Sequence, residues 1–249
     1  HDHETLAWTR DFCERTTALA PLALGTDLIA GEAGVTIGYA RLVELTSSAR
    51  VYSQLEDSAA RLYGSIPKLI EAGYSSVGLA HGWSGIALAL AEAAEQLDKP
   101  QISETAELVL SLEDEFALRL PADPKGPNAS WCWGATGQLL ARLELQVDTP
   151  RTRELANIAS NTRGEDRTLC HGILGQALLG HMESFSLVSS KDQSRMLTDS
   201  GRRVVTEPDN SQPRFAPDLG LFTGLSGRLV YMSCLRDDKI FTLHNLKLA

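Results

Sequence analysis

Two kinds of apolar pattern alternate along the chain. In one, a Gly-x-x-Gly opens a run that is apolar on nearly every face. In the other, apolar residues recur at helical spacing and the remaining faces are charged. The spacing predicts amphipathic helices over Glu4–Ala18, Gln54–Glu71, Glu104–Leu120, Arg151–Ser160 and Gln193–Val205. It predicts all-apolar helices over Gly31–Leu45, His81–Leu97, Trp133–Leu145, His171–Met182 and Gly224–Leu235. Leu55, Ala59, Leu62, Ile66 and Leu69 form the stripe of one amphipathic helix, which Pro67 is expected to kink or end early. Pro121, Pro124, Gly126 and Pro127 mark a stiff loop, and the tail 239–249 reads as extended. No convincing strand alternation is found.

A helix apolar all round should be buried, and an amphipathic one should form an outer layer. The first glycines of the Gly-x-x-Gly segments fall at 31, 82, 134, 172 and 224. Most are roughly fifty residues apart, a spacing that signals repeats. The pattern therefore predicts an all-α fold, an α/α toroid of about five helix pairs. Residues just before each inner helix would line one rim of its cavity.

Composition narrows the function. The 249 residues are read as one domain, 1–249, and the net charge of −9 argues against a nucleic-acid partner. No apolar run reaches membrane-spanning length. The chain opens His1-Asp2-His3 without Met, which is read as an N-terminal truncation. Four cysteines make no disulfide framework in a chain this long, and the reading is of a cytoplasmic protein. Cys13 and Cys234 lie in apolar helical patterns and are read as small buried hydrophobes.

Candidate chemistry gathers just before the apolar helices. Aligned on the first glycine, Cys132 and Cys170 share the slot two before it, and His81 and His171 share the slot one before it. Equivalent slots of a repeat should converge in space. Cys132, Cys170 and His171 then form a three-ligand zinc site with a fourth position open, since thiolate and imidazole suit zinc better than magnesium or calcium. The plain alternative is two buried core thiols. His81 reads as a general acid/base or as a helix-start histidine bonded to backbone. Asp27, four before its glycine, reads as the partner that fixes the His81 tautomer or as a turn carboxylate. Trp83, Trp131 and Trp133 read as core aromatics or as grips for a peptide. Glu113, Asp114 and Glu115 read as a solvated outer face.

At these residues the chain resembles the lanthionine synthetase C-like family, the lanthipeptide cyclases. The resemblance rests on Gly78-Leu79-Ala80-His81-Gly82, Trp131-Cys132-Trp133-Gly134 and Cys170-His171-Gly172. The segments 27–31 and 220–227 extend it over nearly the whole chain. It implies an α/α toroid with seven helix pairs, of which five stand here, so the ring is either open or completed by a preceding part of a larger synthetase, a part that can carry a dehydratase portion. It implies Zn2+ on Cys132, Cys170 and His171, with His81 and Asp27 as catalytic residues beside the metal. The substrate would be a dehydrated precursor peptide, contacted by Trp133, Trp83 and Asn128; Asn128 stands where some members carry a basic residue. The implied reaction adds peptide cysteine thiols to dehydroalanine or dehydrobutyrine, giving lanthionine or methyllanthionine. The competing reading is a non-catalytic module of the same fold that binds zinc and thiols such as glutathione, or a partner protein. A toroid glycosidase is disfavoured, because no carboxylate pair recurs at the repeat slots.

Overall fold

The computed structural model describes residues 25–119, 128–162, 168–172 and 175–176. The expected helices over 4–18, 193–205 and 224–235, the loop glycine and prolines at 121–127, the repeat at 224–227, Cys13 and Cys234 lie outside them. Every regular element among the described residues is a helix: α1 (Glu32–Thr46), α2 (Ala49–Glu71), α3 (Trp83–Leu97), α4 (Pro100–Arg119), α5 (Ala135–Glu144) and α6 (Pro150–Asn161). The all-α expectation holds for them. The chain divides into two compact units, His1–Arg119 and Leu120–Ala249.

In the first unit α1 packs on α2 and on α3, and α3 packs on α4 and α2. In the second, α5 packs on α6. The alternation of inner and outer helices is visible in burial. Twelve of the 15 residues of α3 and nine of the 10 of α5 are buried, against six of 23 in α2 and five of 20 in α4. Val51, Leu55 and Ala59 of α2 meet Tyr39, Ala40, Ala93 and Leu97 in one core cluster. Full burial of a side chain such as Leu55 or Leu62 is worth roughly 1.5–3 kcal/mol.

α1 departs from the expected pattern. Only Ala33, Thr36, Tyr39 and Ala40 of it are buried. Val35, Ile37, Leu42, Val43 and Leu45 are only half-buried, and its charged residues are paired: Glu32 accepts from Ser58 Oγ at 2.6 Å and pairs with Arg61 at 2.8 Å, and Arg41 pairs with Glu44 and Glu92.

Two helix starts are earlier than expected. α2 begins at Ala49, only two residues after α1, because Val51 continues the stripe of Leu55 and Leu62 one turn further. α4 begins at Pro100, whose fixed φ suits the first helical position and whose missing N–H would be unbonded there anyway. Pro67 does not end α2, which runs on to Glu71; the proline removes one bond, to the carbonyl four residues before it, and leaves the turn after it free to form. α6 opens on a Thr149–Thr152 capping box followed by Pro150.

Candidate functional site

Each inner helix starts from the same turn. The amide of the residue after the first glycine donates to a carbonyl seven residues back: Glu32 to Gly25 at 2.9 Å, Trp83 to Ser76 at 3.2 Å, Ala135 to Asn128 at 2.8 Å. The second glycine is required by contact. A Cβ on Gly34, Gly85 or Gly175 would sit 2.2, 2.1 or 2.4 Å from the carbonyl oxygen of Leu28, Leu79 or Leu169. That clash with backbone is why the slot takes only glycine.

The turns are joined in pairs, and both pairs use the same bond. Leu28 N donates to Ala80 O at 3.1 Å, and Trp131 N donates to Cys170 O at 3.0 Å. In repeat terms, the amide three before one first glycine meets the carbonyl two before the next. The second glycine of the later turn also abuts the side chain of the joined residue: Gly85 against Leu28 Cβ and Gly175 against Trp131 Cβ.

In the second unit this joint brings Cys132 and Cys170 together. Cys170 Sγ donates to Cys132 Sγ at 2.7 Å, and His171 Nε2 lies 3.9 Å from Cys170 Sγ. The donor atoms of Cys132, Cys170 and His171 all lie within 4.8 Å of one another. Both cysteines are free thiols. The hydrogen bond from Cys170 acidifies Cys132 most, burial opposes it, and the His171 ring and Ser130 hydroxyl add to it; together they bring the thiol to about 6. A shared proton thus holds the sulfur pair, and a metal ion would take its place, since ligand thiols bind metals deprotonated. Two sulfurs and one imidazole are a donor set that can hold a metal ion.

In the first unit the same joint brings Asp27 to His81, with Asp27 Oδ2 accepting from His81 Nδ1 at 3.0 Å. The other oxygen, Oδ1, accepts from Ala30 N at 2.7 Å. Asp27 is therefore both turn carboxylate and histidine partner, and the two sequence readings were not exclusive. Burial pushes its carboxyl up, but the Ala30 amide, the His81 ring and the Ile29 amide outweigh it and hold the group below its ordinary 3.8. With Nδ1–H donated to Asp27, the neutral ring carries its lone pair on Nε2. The His81 side chain is 43% exposed.

The remaining expected contacts divide. Trp133 is 57% exposed and Trp83 is fully buried. The Trp83 indole donates to Tyr74 O at 3.1 Å, and its ring lies edge-on to Tyr74 and stacked on Phe116. That makes Trp83 a core aromatic with no face turned to a substrate. Asn128 is exposed, and its Oδ1 accepts from Ser130 N at 2.8 Å, shaping the turn before α5.

Sequence reasoning missed three residue groups. Ser130 and Thr168 occupy the slot of Asp27, and like it each accepts from an amide three residues on: Trp133 N at 3.3 Å and His171 N at 3.1 Å. Their shared offset from the glycine was legible. Tyr74 Oη donates to the His81 carbonyl at 2.5 Å. Glu113, expected on a solvated face, is fully buried instead. It faces inward from α4 and satisfies amides of the turn before α3; the run Glu113-Asp114-Glu115 hides this because only one of the three points inward.

The Asp27–His81 pair and the Cys132–Cys170–His171 cluster invite comparison with known proteins. The chain is 29% identical over 175 residues to the lacticin 481/lactococcin biosynthesis protein LcnDR2 of Lactococcus lactis subsp. lactis; the match covers 61% of this chain and 18% of that protein's length. Among solved structures, a nisin cyclase superposes with a TM-score of 0.60 at 16% identity, covering 94% of this chain and 71% of that one. At that identity the likeness shows the fold, which is the all-helical α/α toroid class expected. The model of the family described as lanthionine synthetase C-like protein matches residues 5–246. With that match running almost from end to end, this chain belongs to the lanthionine synthetase C-like family.

Proposed function

We propose that the chain is the cyclase portion of a lanthipeptide synthetase, a zinc enzyme that closes thioether rings in a dehydrated ribosomal peptide. The observation that carries this reading is the convergence of Cys132, Cys170 and His171 within 4.8 Å. Two thiolates and an imidazole fit zinc, with a fourth position left for an incoming group. Bound there, zinc supplies Lewis-acid activation that makes a peptide thiol a thiolate at neutral pH.

The addition forms a bond from the peptide sulfur to the β-carbon of dehydroalanine or dehydrobutyrine and breaks the carbon–carbon π bond. The electron pair moves onto the α-carbon and its carbonyl as an enolate. The thiol gives up one proton and the α-carbon takes one, so the step balances without an oxidant or reductant. His81 is the residue proposed to carry the proton, through Nε2, because Asp27 holds Nδ1 at 3.0 Å. Asp27 stays ionised, since its neighbours hold it below 3.8, and so remains an acceptor for His81 Nδ1. Trp133, exposed beside Cys132, is a proposed contact for the peptide, as is Asn128. No described helix is long and apolar enough to cross a membrane. A dehydratase portion in the same synthetase is part of this proposal.

The experiment is metal analysis of the purified chain together with ring formation on a dehydrated peptide, read as loss of free thiol. About one zinc per chain is expected, from a single three-ligand site. Cys170→Ala should lose both metal and ring formation. Zinc bound without any ring formation would favour a thiol-binding module and overturn the cyclase reading.

A further inference from the structure

Glu113 lies on α4, yet its carboxylate does its bonding at the turn that carries His81. Oε1 accepts from Gly78 N at 2.8 Å and from Ser84 N at 3.0 Å, and Oε2 accepts from Ser84 Oγ at 2.5 Å. Gly78 and Ser84 bracket Leu79-Ala80-His81-Gly82-Trp83, so one side chain ties both ends of the His81 turn. The carboxylate is fully buried, which is costly for a charge without donors and tolerable with three. Ser84 is the second residue of α3, so the anion also faces the positive end of that helix.

The other described turns hold themselves. Asp27, Ser130 and Thr168 each accept, from the slot four before the first glycine, an amide three residues on. In the His81 turn that slot is Gly78, which has no side chain and a φ of +99°. The anchor is thus imported from α4. Tyr74 adds a second restraint through the His81 carbonyl, and Trp83, next to the turn, is locked between Tyr74 and Phe116. The His81 ring then meets a carboxylate from a different turn, Asp27, at 3.0 Å. Holding that bond requires the backbone beneath His81 to stay fixed.

We propose that Glu113 is a positioning residue for His81, a buried carboxylate that grips Gly78 and Ser84 and so holds the imidazole on Asp27. The inference rests on the reading of His81 as the proton carrier, and its test separates the two. Metal-loaded full chain with isotope-labelled histidine is examined by NMR for the His81 Nδ1–H signal and its protection from exchange, alongside kcat and KM on a dehydrated peptide. Glu113→Ala should lose the protected signal and lower kcat about ten- to a hundredfold, as small misplacements of catalytic groups do, with KM and bound metal unchanged. Glu113→Gln, which keeps an acceptor for both amides, should restore the signal and most of kcat. A folded Glu113→Ala with an intact His81 signal and wild-type kcat overturns the proposal. Should Glu113→Ala not fold, Glu113→Asp decides: one methylene shorter, it should weaken the signal, and an unchanged signal overturns the idea. An inactive wild-type chain would overturn the cyclase reading and leave the ring signal to decide this one.

Discussion

Residues 27–34 joined to 78–85, and residues 130–137 joined to 168–175, are built on one backbone plan and carry different chemistry. Both use the amide-to-carbonyl bond three and two before the first glycines, and both press the later turn's second glycine against the joined side chain. In one pair the slot two before the glycine holds Ile29 and Ala80; in the other it holds Cys132 and Cys170. In one pair the slot four before holds Asp27; in the other it holds Ser130. The histidine slot is filled in both, by His81 and His171. On the proposed reading, the Asp27 carboxylate suits the first histidine to acid/base work, and the two sulfurs suit the second to ligation. The backbone decides that these slots meet, and the residue types decide what the meeting does.

The comparison separates most widely on substitution of the two histidine environments. Cys170→Ala should abolish zinc binding and ring formation together. His81→Ala should keep the zinc and lower ring formation roughly 10²- to 10⁴-fold, the range for a general acid/base. Metal content and turnover on the same preparations check this; loss of zinc in His81→Ala would break the division of labour.

Acidity should follow the same division. The Cys132 thiol, ordinarily near 9.0, is held at about 6, so thiolate ultraviolet absorbance of metal-free protein should rise with a midpoint near pH 6. Cys170→Ala should move that midpoint up, because the largest acidifying bond comes from Cys170. A depressed pKa stabilises the fold when the group is ionised. That contribution is complete above about pH 9, the unfolded value, and is lost as pH falls through about 6.

A graft tests the shared plan directly. Ile29→Cys with Ala80→Cys places two thiols beside His81 in the slots of Cys132 and Cys170. Zinc content should rise from about one to about two per chain, the new ligands matching a Cys/Cys/His set. No extra zinc in a folded double variant would show that the two joints differ in more than residue type.

The smallest effects contrast glycines inside and outside the joints. Gly85→Ala meets Leu79 O at 2.1 Å and should destabilise by roughly 1–3 kcal/mol or more, as overpacking does. Gly64→Ala, in α2 with open space around its Cβ, should stabilise by roughly 0.5–1 kcal/mol. Thermal or denaturant unfolding reads both.

Much of this was legible in the chain. The alternation of all-apolar and amphipathic segments separated the buried α3 and α5 from the outer α2 and α4, though not α1, because burial on every face leaves a different residue pattern from burial on one. Cys132, Cys170 and His171 declared themselves by shared offsets from a glycine, because a repeated backbone carries equal offsets to equal places. Helix starts at Ala49 and Pro100 were missed, because a stripe's first turn and a proline at position one carry little apolar signal. The tertiary structure alone decided the rest. It buried Glu113 out of an acidic triplet, it enclosed Trp83 between Tyr74 and Phe116, and it gave Asp27 two bonds at once. The physical reason is reach: a local pattern fixes which face of a helix is apolar, whereas the partner of a polar side chain, lying 35 residues from Glu113 at Gly78 and 54 from Asp27 at His81, exists only once the helices have packed.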